Sequence, residues 1–198
     1  MFFFFKQKTA YEIRCGVYDR QGKYWVGAST GVSCLSGGVW NRYRTVHGLP
    51  SENIQACALD STGTVWFATR SGIVSFADNK LTDWTQKTGS DSINVLSAAA
   101  DKDKVYFGAT DGKIYEFDGK SWKSSAKASS GITAILIDPA GALWLGTEAD
   151  GVIRTGGGKT LKYTVVEGLP SNRVRALAIH NGQMVAACYG GLGLIPLE

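Results

Sequence analysis

The sequence has little charge and no long hydrophobic run. Only 19% of its 198 residues are charged, and the net charge of +4 is spread thinly, without a basic run. Binding to nucleic acid normally needs a concentrated stripe of Lys and Arg, so no nucleic-acid partner is predicted. No stretch approaches the ~18 apolar residues needed to span a bilayer. The sequence therefore predicts no transmembrane segment in this chain.

Metal-binding and redox motifs are also missing. The four cysteines, Cys15, Cys34, Cys57 and Cys188, form no C-x-x-C pair, and each lies inside an apolar run. We interpret them as small buried hydrophobic residues rather than as a metal or redox site, and no metal or cofactor is predicted. A disulfide between Cys15 and Cys57 stays open, because spacing along the chain does not establish disulfide geometry.

The first thirteen residues, MFFFFKQKTAYEI, do not resemble the rest of the chain. Their apolar run is shorter than the core of a signal peptide, which needs about 7–15 apolar residues after a basic region. Residues 6–13 back-translate to a string that resembles a sequencing-library adapter. We therefore predict that residues 1–13 are adapter-derived, so that the native N-terminus is missing and a signal peptide could not be observed. A genuine amphipathic terminal strand is the alternative.

A short motif recurs at a nearly constant interval in the remaining residues, which are rich in glycine and aromatic side chains. The motif is a large residue, an apolar residue and two small residues, and it begins at Trp25, Trp66, Tyr106 and Trp144, with a weak fifth copy at Val185. Successive copies lie 41, 40, 38 and 41 residues apart. This period indicates five repeats.

Other features keep the same phase. A turn beginning with Asp and ending with Gly precedes the motif at 19–22, 60–63 and 138–141, with a variant at 180–182 and a copy without glycine at 101–104. Such turns indicate tight hairpins. Each motif is followed by a glycine and, in four repeats, by a second aromatic residue: Trp40, Trp84, Trp122 and Tyr163.

Each repeat is predicted to contain four short strands, which in the second repeat lie at 54–59, 64–69, 72–77 and 81–86. The first strand is the most continuously apolar, as expected for burial on both faces, and the last is polar and aromatic, as expected for an outer edge. The predicted fold is all-β: a β-propeller of about five four-stranded antiparallel blades, at 14–52, 53–91, 92–130, 131–172 and 173–198. The fifth blade is incomplete. No 3.6-residue apolar stripe is present, which excludes helical repeats.

The linkers between repeats carry a family signal. The sequence Gly-Leu-Pro-Ser occurs at 48–51 and 168–171, and Ile54 and Val174 follow it at the same spacing. With the turn and the motif, this pattern resembles the two-component-regulator propeller repeat found in the sensor regions of bacterial hybrid histidine kinases. The resemblance covers residues 15–195. It implies a periplasmic or extracellular location, a fragment of a larger, seven-bladed propeller, and a parent protein that carries a histidine kinase domain.

In a propeller, the linkers between blades share one face with the turns that join the second and third strands, at the mouth of the central channel. Loops on a rigid scaffold often carry function, although most polar loop residues are merely solvated. The candidate ligand-binding residues on this rim are His47, Asn53, Arg70, Asp111, Glu148, Asp150, Asn172, Arg173 and Tyr189, with Glu52 beside them. Leu49 and Leu169 are instead predicted to fill gaps between blades.

The sequence favours a binding protein over an enzyme. It contains no G-x-S-x-G, Walker A or zinc signature. A lyase of the streptogramin type would need a histidine with acidic metal ligands, and His180 lies in a turn on the opposite face from His47. A sialidase-like site would need an arginine trio, whereas Arg70, Arg154 and Arg173 occupy unrelated repeat positions. No catalytic residue is therefore predicted.

Three functional hypotheses remain. The first is a non-catalytic sensor propeller that binds a small molecule or a glycan as the signal input of a two-component-type protein. The second is a scaffold propeller of an exported protein that binds a protein partner on its rim. The third, remote alternative is a propeller lyase or glycosidase.

Overall fold

A computed structural model describes residues 13–102 and 104–197. Over this part of the chain, nineteen strands form five antiparallel sheets, four of them four-stranded and the last three-stranded. The first strands of successive sheets pack against one another, β1 on β5, β5 on β9, β9 on β13 and β13 on β17. The predicted β-propeller architecture, with an incomplete fifth blade, is therefore confirmed. The adapter prediction lies outside the described residues except at Ile13, which pairs with Ala28 in the first sheet.

The strands of each blade follow one another in sequence order. Blade 1 contains β1 (Ile13–Tyr18), β2 (Tyr24–Ala28), β3 (Gly31–Ser36) and β4 (Val39–Tyr43). Blade 2 contains β5 (Ile54–Leu59), β6 (Val65–Thr69), β7 (Gly72–Ala77) and β8 (Lys80–Asp83). Blade 3 contains β9 (Val95–Asp101), β10 (Lys104–Ala109), β11 (Lys113–Phe117) and β12 (Trp122–Ala126). Blade 4 contains β13 (Ile132–Ile137), β14 (Leu143–Thr147), β15 (Val152–Gly156) and β16 (Lys159–Tyr163). Blade 5 contains β17 (Val174–His180), β18 (Gln183–Cys188) and β19 (Gly191–Pro196).

The Asp-x-x-Gly-x-x-Trp spacing has a direct structural cause. One carboxylate oxygen of the turn aspartate accepts a hydrogen bond from the backbone amide four residues later. The other accepts one from the indole Nε1 of the motif tryptophan. The Asp–Trp pairs and their distances are Asp19–Trp25 at 2.9 Å, Asp60–Trp66 at 2.7 Å and Asp138–Trp144 at 2.9 Å. The turn therefore satisfies the polar group of a buried indole, which allows the ring to enter the core.

The cores lie between blades rather than within them. Trp25 of blade 1 packs against Phe67 and Phe76 of blade 2, with ring centroids 5.9 and 4.4 Å apart. The equivalent Trp66 packs against Phe107 and Phe117 of blade 3. The tryptophan faces the following blade, and the next residue of the same strand faces the preceding blade. Because side chains alternate between the two faces of a strand, each blade packs against both of its neighbours.

The structure corrects the prediction that the first strands are buried on both faces. In β6 all five residues are buried, whereas β5 is largely half-buried and β17 is mostly exposed. The second and third strands are enclosed between neighbouring blades, but the first strand is the innermost and has no strand on its inner edge. The apolar residues of the first strands therefore pack against the first strands of the neighbouring blades.

Two further predictions were wrong in detail. The fourth strand of blade 2 ends at Asp83 rather than at residue 86, because the Asp83 carboxylate accepts a hydrogen bond from the Thr85 amide and a 3₁₀ helix follows. The second aromatic residues listed for the four repeats also do not all occupy equivalent positions. Tyr43, not Trp40, is equivalent to Tyr163, since Tyr43 stacks on Trp25 as Tyr163 stacks on Trp144, each at 5.8 Å. Trp40 lies on the other face of blade 1, opposite Leu35.

The linkers contain short 3₁₀ helices, η1 (Thr45–His47), η2 (Thr85–Thr88) and η3 (Val165–Glu167). In the Gly-Leu-Pro-Ser linkers the glycine ends the helix in the left-handed conformation, with φ of 103° at Gly48 and 99° at Gly168. Glycine adopts this conformation without a steric penalty. Leu49 and Leu169 are buried in the cores between blades 1 and 2 and between blades 4 and 5.

Candidate functional site

A repeated backbone hydrogen bond brings the linkers and the turns between second and third strands together on one face. In each case the first amide of the turn donates to the carbonyl of the residue that precedes the first strand. The pairs are Arg70–Asn53 at 3.0 Å, Thr110–Asn94 at 3.0 Å, Glu148–Gly131 at 2.9 Å and Tyr189–Arg173 at 2.8 Å. The scaffold thus holds these side chains at equivalent places in successive blades.

Several of these side chains remain available for a ligand. Within the described residues, the side chains of Arg70 and Glu148 are exposed and make no hydrogen bond or ion pair. The Glu148 carboxylate lies over Gly131, where an added Cβ would come within 3.0 Å of its Oε2 atom. The Arg173 guanidinium lies over the exposed ring of Tyr189, 5.6 Å from its centroid, in cation–π geometry.

Two asparagines add buried acceptors to the same face. The Oδ1 atoms of Asn53 and Asn94 are buried and have no hydrogen-bond partner in the described part of the chain. A buried acceptor without a partner costs about 1–3 kcal/mol, so each asparagine oxygen is a destabilising polar group beside the linker face. Asn94 was missed by the sequence reasoning, although it precedes Val95 just as Asn53 precedes Ile54. We call Asn53, Arg70, Asn94, Glu148, Arg173 and Tyr189 the rim set.

His47 and Asn172 stabilise the linkers. The Nδ1 atom of His47 accepts a hydrogen bond of 2.9 Å from the Arg44 amide. The Oδ1 atom of Asn172 accepts one of 2.9 Å from the Val165 amide. Glu52 similarly accepts from the amide and hydroxyl of Thr45. These polar groups fix the ends of the 3₁₀ helices.

Asp150 is the most strongly engaged candidate. Its carboxylate accepts hydrogen bonds from the hydroxyls of Ser129 and Ser130, both at 2.7 Å, and from Lys162 Nζ at 3.0 Å. Burial opposes its ionisation, but the hydrogen bonds from Ser129, Ser130 and Lys162 outweigh this effect and hold the pKa of Asp150 well below its usual range. It thus ties blade 4 to the linker that precedes it.

The Asp150–Lys162 pair borders an open groove of about 430 Å³ between blades 3 and 4.

The Asp111 side chain also forms hydrogen bonds within its own blade. Its carboxylate accepts from the Lys113 amide at 3.0 Å and from the Tyr115 hydroxyl at 3.2 Å.

Two valines form apolar points on the same face. Val46 in η1 and Val166 in η3 occupy equivalent positions, and both are 85% exposed. A single exposed hydrophobic residue is common on the surface of a folded protein. Here, however, an exposed valine occurs at the same position of two linkers. Within the described ranges, no group of three or more His, Cys, Asp or Glu side chains is placed to hold a metal ion. No described helix is long and apolar enough to cross a membrane.

The blades, the inward first strands and the linker face define a β-propeller with a candidate binding rim. Residues 38–187 match the family model of the DUF6242 beta propeller domain, and the chain belongs to this family. No curated protein matches the sequence.

Solved structures resemble the chain closely in fold. The extracellular domain of the hybrid two-component system BT4673 from B. thetaiotaomicron gives a TM-score of 0.81 at 15% identity, covering 96% of this chain and 28% of that one. The corresponding domain of BT3049, from the same organism, gives 0.74 at 22% identity, covering 92% and 28%. Virginiamycin B lyase from Staphylococcus aureus gives 0.71 at 14% identity, covering 93% and 69%.

The chain spans about 28% of the length of the two-component structures that it matches. The linker motif resembled sensor propellers, and two of these structures, which are extracellular domains of hybrid two-component systems, share the fold of this chain. Identities this low show the shared fold alone.

Proposed function

We propose that this segment is a non-catalytic signal-input propeller of a bacterial two-component-type sensor protein, located in the periplasm or outside the cell. The observation that carries the proposal is the rim set. It combines cationic, anionic, amide and aromatic side chains on a backbone fixed by the repeated hydrogen bond between turn and linker. The similarity to extracellular domains of hybrid two-component systems supports the signalling role.

The composition of the rim set favours a small polar ligand such as a glycan. Hydroxyl groups can accept hydrogen bonds from Arg70 and Arg173 and donate them to Glu148. The exposed Tyr189 ring, 64% accessible, offers an apolar surface for one face of a sugar ring. Sites of this kind combine an apolar platform with a few placed polar groups.

The test is a thermal-shift screen of the chain against a panel of soluble oligosaccharides, monosaccharides and amino acids, followed by calorimetric titration of each compound that raises the melting temperature. We expect Arg70→Ala and Glu148→Ala each to weaken binding by about tenfold, since a hydrogen bond to a charged group contributes about 1.5–3 kcal/mol. Arg20→Ala is the matched control, because Arg20 is exposed in a turn between first and second strands, on the opposite face. Equal losses for Arg20→Ala and Arg70→Ala would place the ligand elsewhere.

The exposed valines favour a second candidate, a scaffold that binds a protein on the outer rim. A protein partner would contact Val46 and Val166, whereas a small ligand held by the rim set would not. The double variant Val46→Lys, Val166→Lys should therefore abolish protein binding and leave binding of a small ligand unchanged. The remote hypothesis of a lyase or glycosidase would gain support if the chain turned over a substrate and Asp111→Ala, Glu148→Ala or Asp150→Ala abolished this turnover.

A further inference from the structure

Two cysteines face each other across the boundary between blades 1 and 2. Cys15 lies in β1 opposite Gly27, and Cys57 lies in β5 opposite Phe67. Both pack against the core shared by these blades, and both keep partial solvent access. The two thiols interact with each other directly, and this interaction shifts the pKa of both. The two sulfur atoms are therefore neighbours although they come from different sheets.

The repeat geometry shows independently that the Cys15 position reaches the next blade. Ser97 occupies this position in blade 3, opposite Gly108, and its hydroxyl donates a hydrogen bond of 2.8 Å to the Ile132 carbonyl of blade 4. Glycine opposite the position leaves room for the side chain. A Cβ added at Gly27 would lie 2.6 Å from the Cys15 sulfur, and one added at Gly108 would lie 2.5 Å from the Ser97 hydroxyl.

The same pair of positions is occupied by alanines at the next boundary. Ala56 in β5 is equivalent to Cys15, and Ala98 in β9 is equivalent to Cys57, as their strand partners Ala68 and Phe107 show. Both alanines pack against the core between blades 2 and 3. The fold thus requires no sulfur at these positions, and the paired thiols at the first boundary are additional to the packing.

The four thiols also differ in chemistry. Burial raises the pKa of Cys34 and of Cys188, which makes them poor nucleophiles near neutral pH. The interaction between the two thiols lowers the pKa of Cys15 and raises that of Cys57. A thiolate is the attacking species in disulfide exchange, so Cys15 is the cysteine prepared to react first.

We propose that Cys15 and Cys57 are a redox-active pair that forms a disulfide between blades 1 and 2 when the chain meets a small-molecule disulfide oxidant. The Cys15 thiolate attacks one sulfur of the oxidant, which gives a mixed disulfide and releases one thiolate. The deprotonated Cys57 then attacks the Cys15 sulfur and releases the second thiolate. The protein loses two electrons and two protons, and the oxidant is reduced to two thiols.

The disulfide joins two neighbouring blades that are otherwise connected by the linker containing η1. It closes a loop in which 41 residues lie between Cys15 and Cys57. Restricting the unfolded chain to this extent should raise the melting temperature by about 10 °C for a domain of this size.

The experiment treats the reduced full chain with oxidised glutathione under native conditions and maps disulfides by mass spectrometry of non-reduced peptides. The expected product is a single peptide pair linking Cys15 to Cys57, with a rise in melting temperature that dithiothreitol reverses. Cys15→Ala and Cys57→Ala are the matched controls, because alanine occupies the equivalent positions at the next boundary. Each variant should fold and show no oxidant-dependent shift.

Three outcomes would overturn the proposal. These are a glutathione adduct at Cys15 that does not resolve into a disulfide, a crosslink that involves Cys34 or Cys188, and an oxidant-dependent shift that persists in Cys57→Ala. None of these results depends on the rim set, so the test is separate from that of the proposed function.

Discussion

The hydrogen bond from a core indole to a turn aspartate is testable at Asp138, where it is most buried. The side chain of Asp138 is 5% exposed, and Trp144 is fully buried. The carboxylate accepts from the Trp144 indole at 2.9 Å and from the Ala142 amide at 2.8 Å. Arg154 Nε lies 3.7 Å from the same carboxylate. Replacing Asp138 with Ala leaves two buried donors and a largely buried cation without their acceptor.

The expected cost follows from these contacts. Each hydrogen bond to a charged group contributes about 1.5–3 kcal/mol, so Asp138→Ala should lower the free energy of unfolding by about 3–5 kcal/mol. That is a large share of the ~5–15 kcal/mol that stabilises a typical domain. The measurement is urea unfolding followed by tryptophan fluorescence. Asp118→Ala is the control, because Asp118 accepts hydrogen bonds from the exposed turn at 120 and 121 and from Lys123, and accepts none from an indole.

A double-mutant cycle with Trp144→Phe isolates the indole hydrogen bond. Phenylalanine keeps an aromatic ring in the core but has no N–H donor, so it removes the interaction from the other side. We expect the two substitutions to couple by about 1.5–3 kcal/mol, since the residues are in direct contact. A cost below about 1 kcal/mol for Asp138→Ala, or strict additivity in the cycle, would refute the explanation of the Asp-x-x-Gly-x-x-Trp spacing.

Three further predictions concern the linker face and the end of the described sheets. Gly112→Ala should destabilise the chain strongly, because φ is 75° and the new Cβ would lie 2.2 Å from the Ala128 carbonyl oxygen. Gly37 has a positive φ of 57° but open space around it, so Gly37→Ala should cost only the left-handed backbone penalty of about 1–2 kcal/mol and lower the melting temperature much less. Folding lowers the pKa of Asp150, so the stability that its carboxylate contributes is present above pH ~4 and is lost as the pH falls further. In urea titrations, the difference in unfolding free energy between the unsubstituted chain and Asp150→Asn should therefore shrink between pH 5 and pH 3. A difference that grows over this range would contradict the predicted sign. In blades 1–4, one face of each blade packs against the next blade. On the equivalent face of blade 5, Leu192 and Leu194 are 68% and 60% exposed. Copies of the chain should therefore associate through it, and Leu192→Lys with Leu194→Lys should reduce association in sedimentation velocity, whereas Val46→Lys with Val166→Lys should not.

The sequence predicted the architecture because the repeat is a local pattern that recurs five times. The Asp–Gly turn and the large–apolar–small–small motif each specify one hairpin, and their period specifies the blades. The errors arose where a residue's role depends on a neighbouring blade. The first strands look fully buried by composition, and Trp40 looks equivalent to Tyr163 because it is the next aromatic residue of its repeat after Trp25, but only the sheet register shows which face each side chain occupies.

The candidate site was predicted less completely for the same reason. Position in the repeat placed all nine candidates in linkers or in turns between second and third strands. It did not show that His47, Asp111, Asp150 and Asn172 use their polar atoms on their own surroundings. Nor did it show that Asn94 carries the same unpartnered amide oxygen as Asn53. Hydrogen-bond partners separated by up to 21 residues, as between Ser129 and Asp150, are not visible in the spacing.

The contrast between two adjacent positions explains why recognition should reside on the linker face. In blades 2–5 the residue that begins the first strand is aliphatic and fully buried: Ile54, Val95, Ile132 and Val174. The residue immediately before it varies from amide to glycine to guanidinium: Asn53, Asn94, Gly131 and Arg173. The carbonyl of the second position accepts the same backbone hydrogen bond in each of these blades, so the backbone is held while the side chain at this position differs from blade to blade. A scaffold of this kind can change its ligand by substitution at the second position without loss of the fold.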